Sequence, residues 1–290
     1  MSTLQRIPVR VMGPWSQPRD QDVERLDFVA LPKEMSRYRA PEIPEPEQVR
    51  HLRGARAVTE WLGAVLAAYR VGGAPMIADI SGLDAENRDL VNQILGEGEV
   101  SLTYSEADIL VRMQESVLAG IWRTFYLDAA GHISRDLVEV CDVPVLARRA
   151  PDPGAVADLA RSSAPDDVMN ALPILTELQD HAATWRPGDA PHVINLTLLP
   201  LSDGDQRFLD EVLGVGPVAT LSRGYGDCKI SSTAYPGIWR LLYTNSMGTP
   251  ILNTLEISEI PEVACAAQED IDDSRRRFQE LLEPYWTELA

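Results

Sequence analysis

The stretch Ser222-Arg223-Gly224-Tyr225-Gly226-Asp227-Cys228-Lys229-Ile230 gathers residue types that can do chemistry. Two glycines around a tyrosine permit positive φ and a close backbone approach by another group. Arg223 and Lys229 bring positive charge to an acidic chain, and cations beside Cys228 could hold it as a thiolate, the nucleophilic and metal-binding form. The same residues also fit a plain hairpin tip, with Cys228 a small buried hydrophobe opening a strand. Both readings stand at this level.

Other groups offer less. Gly96-x-Gly98-x-x-Ser101 and Gly214-x-Gly216-x-x-Ala219 superficially match a dinucleotide fingerprint, which needs a strand before it and a helix after it. Here a helix precedes and a strand follows, so the glycines read as helix ends. His51, His132, His181 and His192 each lack a second His or Cys at a ligand spacing, and no metal site is expected. Glu139 and Glu256 could work as paired carboxylates, but no nucleophile or His lies near either in sequence. Catalytic residues and cofactors are therefore not expected, and the chain reads as a non-enzyme.

The elements that must position these residues come in two copies. Gly-Ile-Trp-Arg occurs at Gly120–Arg123 and again at Gly237–Arg240, an offset of 237 − 120 = 117. At that offset Tyr126 matches Tyr243, Gly131 matches Gly248, Glu139 matches Glu256 and Pro144 matches Pro261. Upstream the offset becomes 118, where Leu95-Gly-x-Gly-x-Val matches Leu213-Gly-x-Gly-x-Val. Further back, Ala74-Pro75 mirrors Ala190-Pro191. The period is too long for a solenoid. Two tandem α+β units with pseudo-two-fold symmetry are expected, each a helix, a strand, a helix and an antiparallel meander. Trp122 and Trp239 are read as a shared core feature, and Glu139 and Glu256 as partners across the two-fold.

Apolar spacing from Val58 to Tyr69 predicts a helix ending at Gly72-Gly73, and Val168–Trp185 predicts its counterpart. Ala155–Ala160 reads as a short linking helix and His192–Leu198 as a strand. The expected division is an extended Pro-rich arm over 1–50, with short strands at Ile7–Met12 and Leu26–Leu31. A first unit over 51–150, a second over 151–264 and a C-terminal helix over 265–290, bent at Pro284, complete it. The hairpin at 222–230 breaks the symmetry, since its counterpart, Tyr104–Arg112, has neither glycine nor cysteine.

A net charge of −18 argues against a nucleic-acid partner, which would call for clustered Lys and Arg. Three widely spaced cysteines suit a reducing compartment. The first ten residues lack the apolar core of a signal peptide, and no stretch approaches ~20 consecutive apolar residues. A cytoplasmic protein without membrane insertion is expected.

Several long motifs carry a resemblance. They include Ile7-Pro-Val-Arg-Val-Met-Gly-Pro-Trp-Ser-Gln, Leu95-Gly-Glu-Gly-Glu-Val, Gln114-Glu-Ser, and Leu213-Gly-Val-Gly-Pro-Val. The hairpin run from Leu221 to Thr233, Gly237-Ile-Trp-Arg, Ile251-Leu-Asn-Thr-Leu-Glu and Ile260-Pro-Glu-Val-Ala-Cys-Ala-Ala-Gln-Glu-Asp belong to the same set. Together, over roughly residues 5–285, they resemble the HupH/HyaF family of NiFe-hydrogenase expression/formation proteins; Trp15 stands where the pattern leads one to expect Gly. The resemblance implies a non-enzymatic chaperone of uptake-hydrogenase maturation. Its partners would be the iron–sulfur small-subunit precursor, bound before export, and other hydrogenase accessory proteins. Ser222, Arg223, Gly224, Tyr225, Gly226, Cys228 and Lys229 are the candidate partner-binding residues. A thiol- or iron–sulfur-handling role through Cys228 is the alternative.

Overall fold

The computed structural model describes residues 44–161, 163–223 and 226–286. Two of the expectations, the strands at Ile7–Met12 and Leu26–Leu31, lie outside them. A single helical turn over Pro46–Val49, in a stretch expected to be extended, comes first. In order, the elements are then α1 (Arg53–Ala68), β1 (Met76–Asp79), α2 (Ala85–Leu95), β2 (Val100–Glu106), β3 (Ile109–Glu115), β4 (Ile121–Leu127) and β5 (Ile133–Val140). The second copy repeats them as α3 (Ala171–Thr184), β6 (His192–Asn195), α4 (Asp203–Leu213), β7 (Val218–Arg223), β8 (Asp227–Ser232), β9 (Ile238–Thr244) and β10 (Pro250–Ile257). Helix α5 (Gln268–Trp286) follows and includes Pro284.

All ten strands form one antiparallel sheet, in the order β1-β5-β4-β3-β2-β7-β8-β9-β10-β6. The left half is the right half reversed. The seam between the copies is β2 against β7, and there Leu102 faces Thr220, its own counterpart at offset 220 − 102 = 118. The pairs on either side exchange accordingly, Val100 with Ser222 and Tyr104 with Val218. The two-fold axis therefore passes through the seam.

Local chemistry explains why the copies fold alike. Asp84 caps α2 through the Asn87 amide, and Ser202 caps α4 through a capping box with Asp205. Gly96 and Gly214 end these helices at φ +55° and +58°. Two residues on, Gly98 and Gly216 donate to the carbonyls of Glu115 and Ser232 at 2.7 and 2.8 Å. The double-glycine motif is a helix end feeding a strand. From the helix-bearing side of the sheet, the arginine of each Gly-Ile-Trp-Arg ties helix to meander. Arg123 donates to Asn92 on α2 and Asp136 on β5; Arg240 donates to Asp210 on α4 and Asn253 on β10. Each copy supplies one carboxylate and one amide to this clamp, in swapped places, so each guanidinium meets a counter-charge.

Beyond the meanders the chain crosses over reciprocally. A side chain added at Gly120 would meet Ile271 of α5, whereas one added at Gly237 would meet Pro151, in the segment after the first copy. That segment packs its 3₁₀ turn, Leu159–Arg161, on α3, and α5 packs on α1. The expected linking helix at Ala155–Ala160 is thus a turn followed by 3₁₀ geometry. Two boundaries also shift. Helix α1 stops at Ala68, ahead of Gly72-Gly73, because Tyr69 leaves the helix to bury its ring and exchange hydrogen bonds with Asp142. Strand β6 ends at Asn195, whose side chain accepts from the Thr197 amide and starts a 3₁₀ turn over Leu196–Leu198.

Candidate functional site

Strand alternation separates the residues of the 222–230 hairpin. Ser222 faces Cys228 across β7 and β8, and Arg223 faces Asp227. Cys228 turns to the face away from the helices, where it is buried beside Tyr243. Arg223 and Lys229 lie on the opposite face, half-buried. They cannot serve as the cationic neighbours expected for a thiolate. Burial instead pushes the Cys228 thiol up to about 11, against a smaller opposing effect of the Tyr243 hydroxyl, with Glu256 adding to the rise. Cys265 is pushed up to about 12, and Cys141 is raised further, both chiefly by burial. All three are protonated near neutrality. The close approach suggested by the glycines holds at Gly226, where an added Cβ would lie 2.3 Å from the Thr244 carbonyl. Gly224 and Tyr225 lie outside the described residues.

On the face away from the helices, each Gly-Ile-Trp-Arg tryptophan is the centre of a row. Trp122 sits between Glu115 on β3 and Glu139 on β5. Trp239 sits between Ser232 on β8 and Glu256 on β10. Both indoles are fully buried, and each donates Nε1–H to a backbone carbonyl, Cys141 at 3.2 Å and Ser258 at 3.0 Å. These acceptors are again related by 258 − 141 = 117. Trp122 and Trp239 share one apolar cluster with Leu102, Met113, Ile230 and Leu241. Both are core residues.

Glu139 and Glu256 are buried and their carboxyls raised by burial, but they share no hydrogen bond; Glu256 accepts from Ser258 at 2.8 Å. The cross-axis link expected of them is made three residues further on. Asp142 and Glu259, related by 259 − 142 = 117, are bridged by Arg148 at 2.6 and 3.2 Å.

Sequence reasoning missed Glu115. It is 9% exposed, and its carboxylate accepts from the Gly120 amide at 3.2 Å. Burial pushes it up to about 7, outweighing that hydrogen bond, while Asp270 and Glu99 add to the rise. The available signal was the asymmetry of Gln114-Glu115-Ser116 against Ser231-Ser232-Thr233. A raised carboxyl keeps in the folded state a proton that the unfolded chain releases near 4.5. Stability must therefore fall as pH rises from about 4.5 to about 7, and stay reduced above. Glu115→Gln retains an acceptor for Gly120. It is expected to stabilise the protein by roughly 2 kcal/mol at pH 8 and to change little at pH 4. Thermal melts of both proteins across that range test this; parallel curves would refute it.

The histidines are less isolated than their spacing suggests. His51 approaches Glu86 at 3.4 Å and His132 approaches Asp128 at 3.6 Å. His181 and His192 stack on each other.

Comparison with known proteins adds to this geometry. The family described as "HupH hydrogenase expression protein, C-terminal conserved region" matches residues 52–163 and again 168–285, one segment for each copy with its crossing segment. The hydrogenase expression/formation protein HoxQ of Cupriavidus necator is 47% identical over 283 residues, covering 95% of this chain and 96% of its own. The corresponding HupH of Rhodobacter capsulatus is 40% identical, covering 96% and 97%. The hydrogenase-1 operon protein HyaF of Escherichia coli is 32% identical, covering 93% and 94%. Among solved structures, the hydrogenase expression protein HupH from Thiobacillus denitrificans aligns at 27% identity and TM-score 0.37, over 39% of this chain and 94% of that one. Among the described residues, no helix is long and apolar enough to cross a membrane.

Proposed function

Because the chain belongs to the HupH family of hydrogenase expression proteins, we propose that it acts in hydrogenase maturation as a binding protein and not as an enzyme. The observation that carries this reading is the two-segment family match, together with relatives named as hydrogenase expression/formation proteins along nearly their whole length. The client is taken to be the iron–sulfur small-subunit precursor, held in the cytoplasm before export. Three thiols kept protonated by burial give the alternative, covalent or cluster chemistry at Cys228, little support.

The client site is proposed at the tip of the β7–β8 hairpin. Two copies of one unit present equal surfaces, and recognition of a single partner needs a place where they differ. Ser222, Arg223, Gly224, Tyr225, Gly226, Cys228 and Lys229 form that place in sequence, with Cys228 contributing from the core side. Tyr and Arg are favoured at binding hot spots, where truncation costs about 2 kcal/mol or more. Arg223→Ala with Tyr225→Ala is expected to weaken capture of the precursor at least roughly tenfold. Substitution of Ser105 and Ala107, at the corresponding hairpin of the first copy, should change it little. Pull-down of precursor from hydrogenase-producing cells, with circular dichroism as the folding control, decides the matter. A folded double variant that captures precursor normally would remove the hairpin from the interface.

A further inference from the structure

Glu177, His181 and His192 bring one carboxylate and two imidazoles to a single point on the second copy. Glu177 and His181 are one turn apart on α3, on the same face of the helix. His192 opens the edge strand β6 after the intervening loop. The rings of His181 and His192 stack with centroids 3.4 Å apart and planes inclined by 10°. His192 Nε2 lies 2.7 Å from Glu177 Oε1, and one ligand-type atom from each of the three residues falls within 4.8 Å of the others. Two nitrogens and one oxygen around a tetrahedral ion, with bonds of about 2.0–2.2 Å, stand roughly 3.4 Å apart. Holding one ion would require the stacked rings to turn out of their parallel arrangement, so that a nitrogen of each faces it.

The first copy shows what this corner looks like without ligands. The helix ends align, because Tyr69 and Trp185 make the same capping bond, to Val65 and His181 respectively. The edge strands align through Met76 opposite Val140 and His192 opposite Ile257. At this offset of 116, Glu177 replaces Trp61, His181 replaces Val65 and His192 replaces Met76. In the first copy Val65 is buried and Trp61 packs on the core. Three apolar residues at one corner have become three ligand-type residues at the other, all solvent-reachable, with the His192 side chain 28% and the Glu177 side chain 46% exposed.

We propose that Glu177, His181 and His192 form a binding site for one late first-row divalent cation, Zn²⁺ or Ni²⁺. Two imidazoles and one carboxylate suit such ions better than Mg²⁺ or Ca²⁺, which favour all-oxygen shells. Three protein ligands on an open surface leave a coordination position for water or for a ligand from another molecule, unlike a closed structural site. The ion would join the end of α3 to the edge of the sheet. This site lies outside the 222–230 hairpin and does not depend on it.

The test uses tag-free, metal-stripped full-length protein and titrates Zn²⁺ and Ni²⁺ separately by calorimetry. One equivalent is expected to bind with a dissociation constant of ~10 µM or tighter. Saturation should raise the melting temperature by about 3 °C or more. His181→Ala, His192→Ala and Glu177→Gln should each weaken binding at least about tenfold, with unchanged melting in the absence of metal. His51→Ala and His132→Ala should bind as the parent does, and Mg²⁺ should give no saturable heat. Should a variant melt early, Co²⁺ added to the parent protein reads the site directly. Amide resonances of residues 177–192 should broaden first. Absence of saturable binding below about 1 mM, binding unaffected by the three substitutions, or Co²⁺ broadening centred elsewhere would each overturn the proposal.

Discussion

Trp239→Ala should lower the unfolding free energy by about 3–5 kcal/mol, and Trp122→Ala by a similar amount. Each indole is fully buried in the cluster shared by both copies. Removing it leaves a cavity whose walls are strands pinned on both sides, so little collapse can refill it. The indole also carries the hydrogen bond to Ser258 or Cys141. Trp239→Phe keeps most of the ring volume but orphans the carbonyl, for an expected cost of roughly 1–3 kcal/mol. Because β2 and β7 make one continuous sheet, either alanine variant should unfold in a single transition at lower urea. Two separate transitions, or a midpoint unchanged from the parent, would show that the copies do not share this core.

Gly98→Ala and Gly216→Ala come next, each with an expected cost of about 3 kcal/mol or more. A Cβ at Gly98 would stand 2.2 Å from the Ser116 carbonyl oxygen, and one at Gly216 2.1 Å from that of Thr233. Neither contact can be relieved by a side-chain rotation, because the obstacle is backbone in a strand-to-turn segment. The strands that follow at once are β2 and β7, so any retreat disturbs the seam between the copies. Gly131 and Gly248 provide the contrast. They adopt φ +82° and +75°, with nothing within 4 Å of a built Cβ. Asparagine tolerates that region, and Gly131→Asn or Gly248→Asn should cost less than about 1 kcal/mol. Denaturant midpoints of the four variants measure the difference, and equal losses at all four positions would contradict the contact geometry.

Much of the architecture was present in the sequence alone because its causes are local. Gly96-x-Gly98 and Gly214-x-Gly216 end helices, Gly131 turns a hairpin, and alternating residues such as those of Ile238–Thr244 mark a strand without reference to anything distant. The duplication did the rest, since the same pattern recurs in the chain at an offset of 117 to 118 residues. The family was legible for a similar reason: long motifs survive as contiguous text.

Tertiary structure alone decided which residues meet. Nothing in the period-two pattern of β2 names β7 as its neighbour, a partner some 118 residues away at the centre of the register. The bridge across the axis fell to Asp142, Arg148 and Glu259 rather than to Glu139 and Glu256, because that bond needs side chains at the strand ends, beyond the tryptophan rows. Cys228 is next to Lys229 and five positions from Arg223 (228 − 223 = 5), yet strand alternation sends both cations to the opposite face, and the thiol loses the charges that would activate it. His181 and His192 are eleven positions apart (192 − 181 = 11), at no ligand spacing. A helix end and an edge strand folded back on each other bring their rings together. Local sequence specifies conformation, whereas coincidence of side chains in space depends on the path of the chain between them.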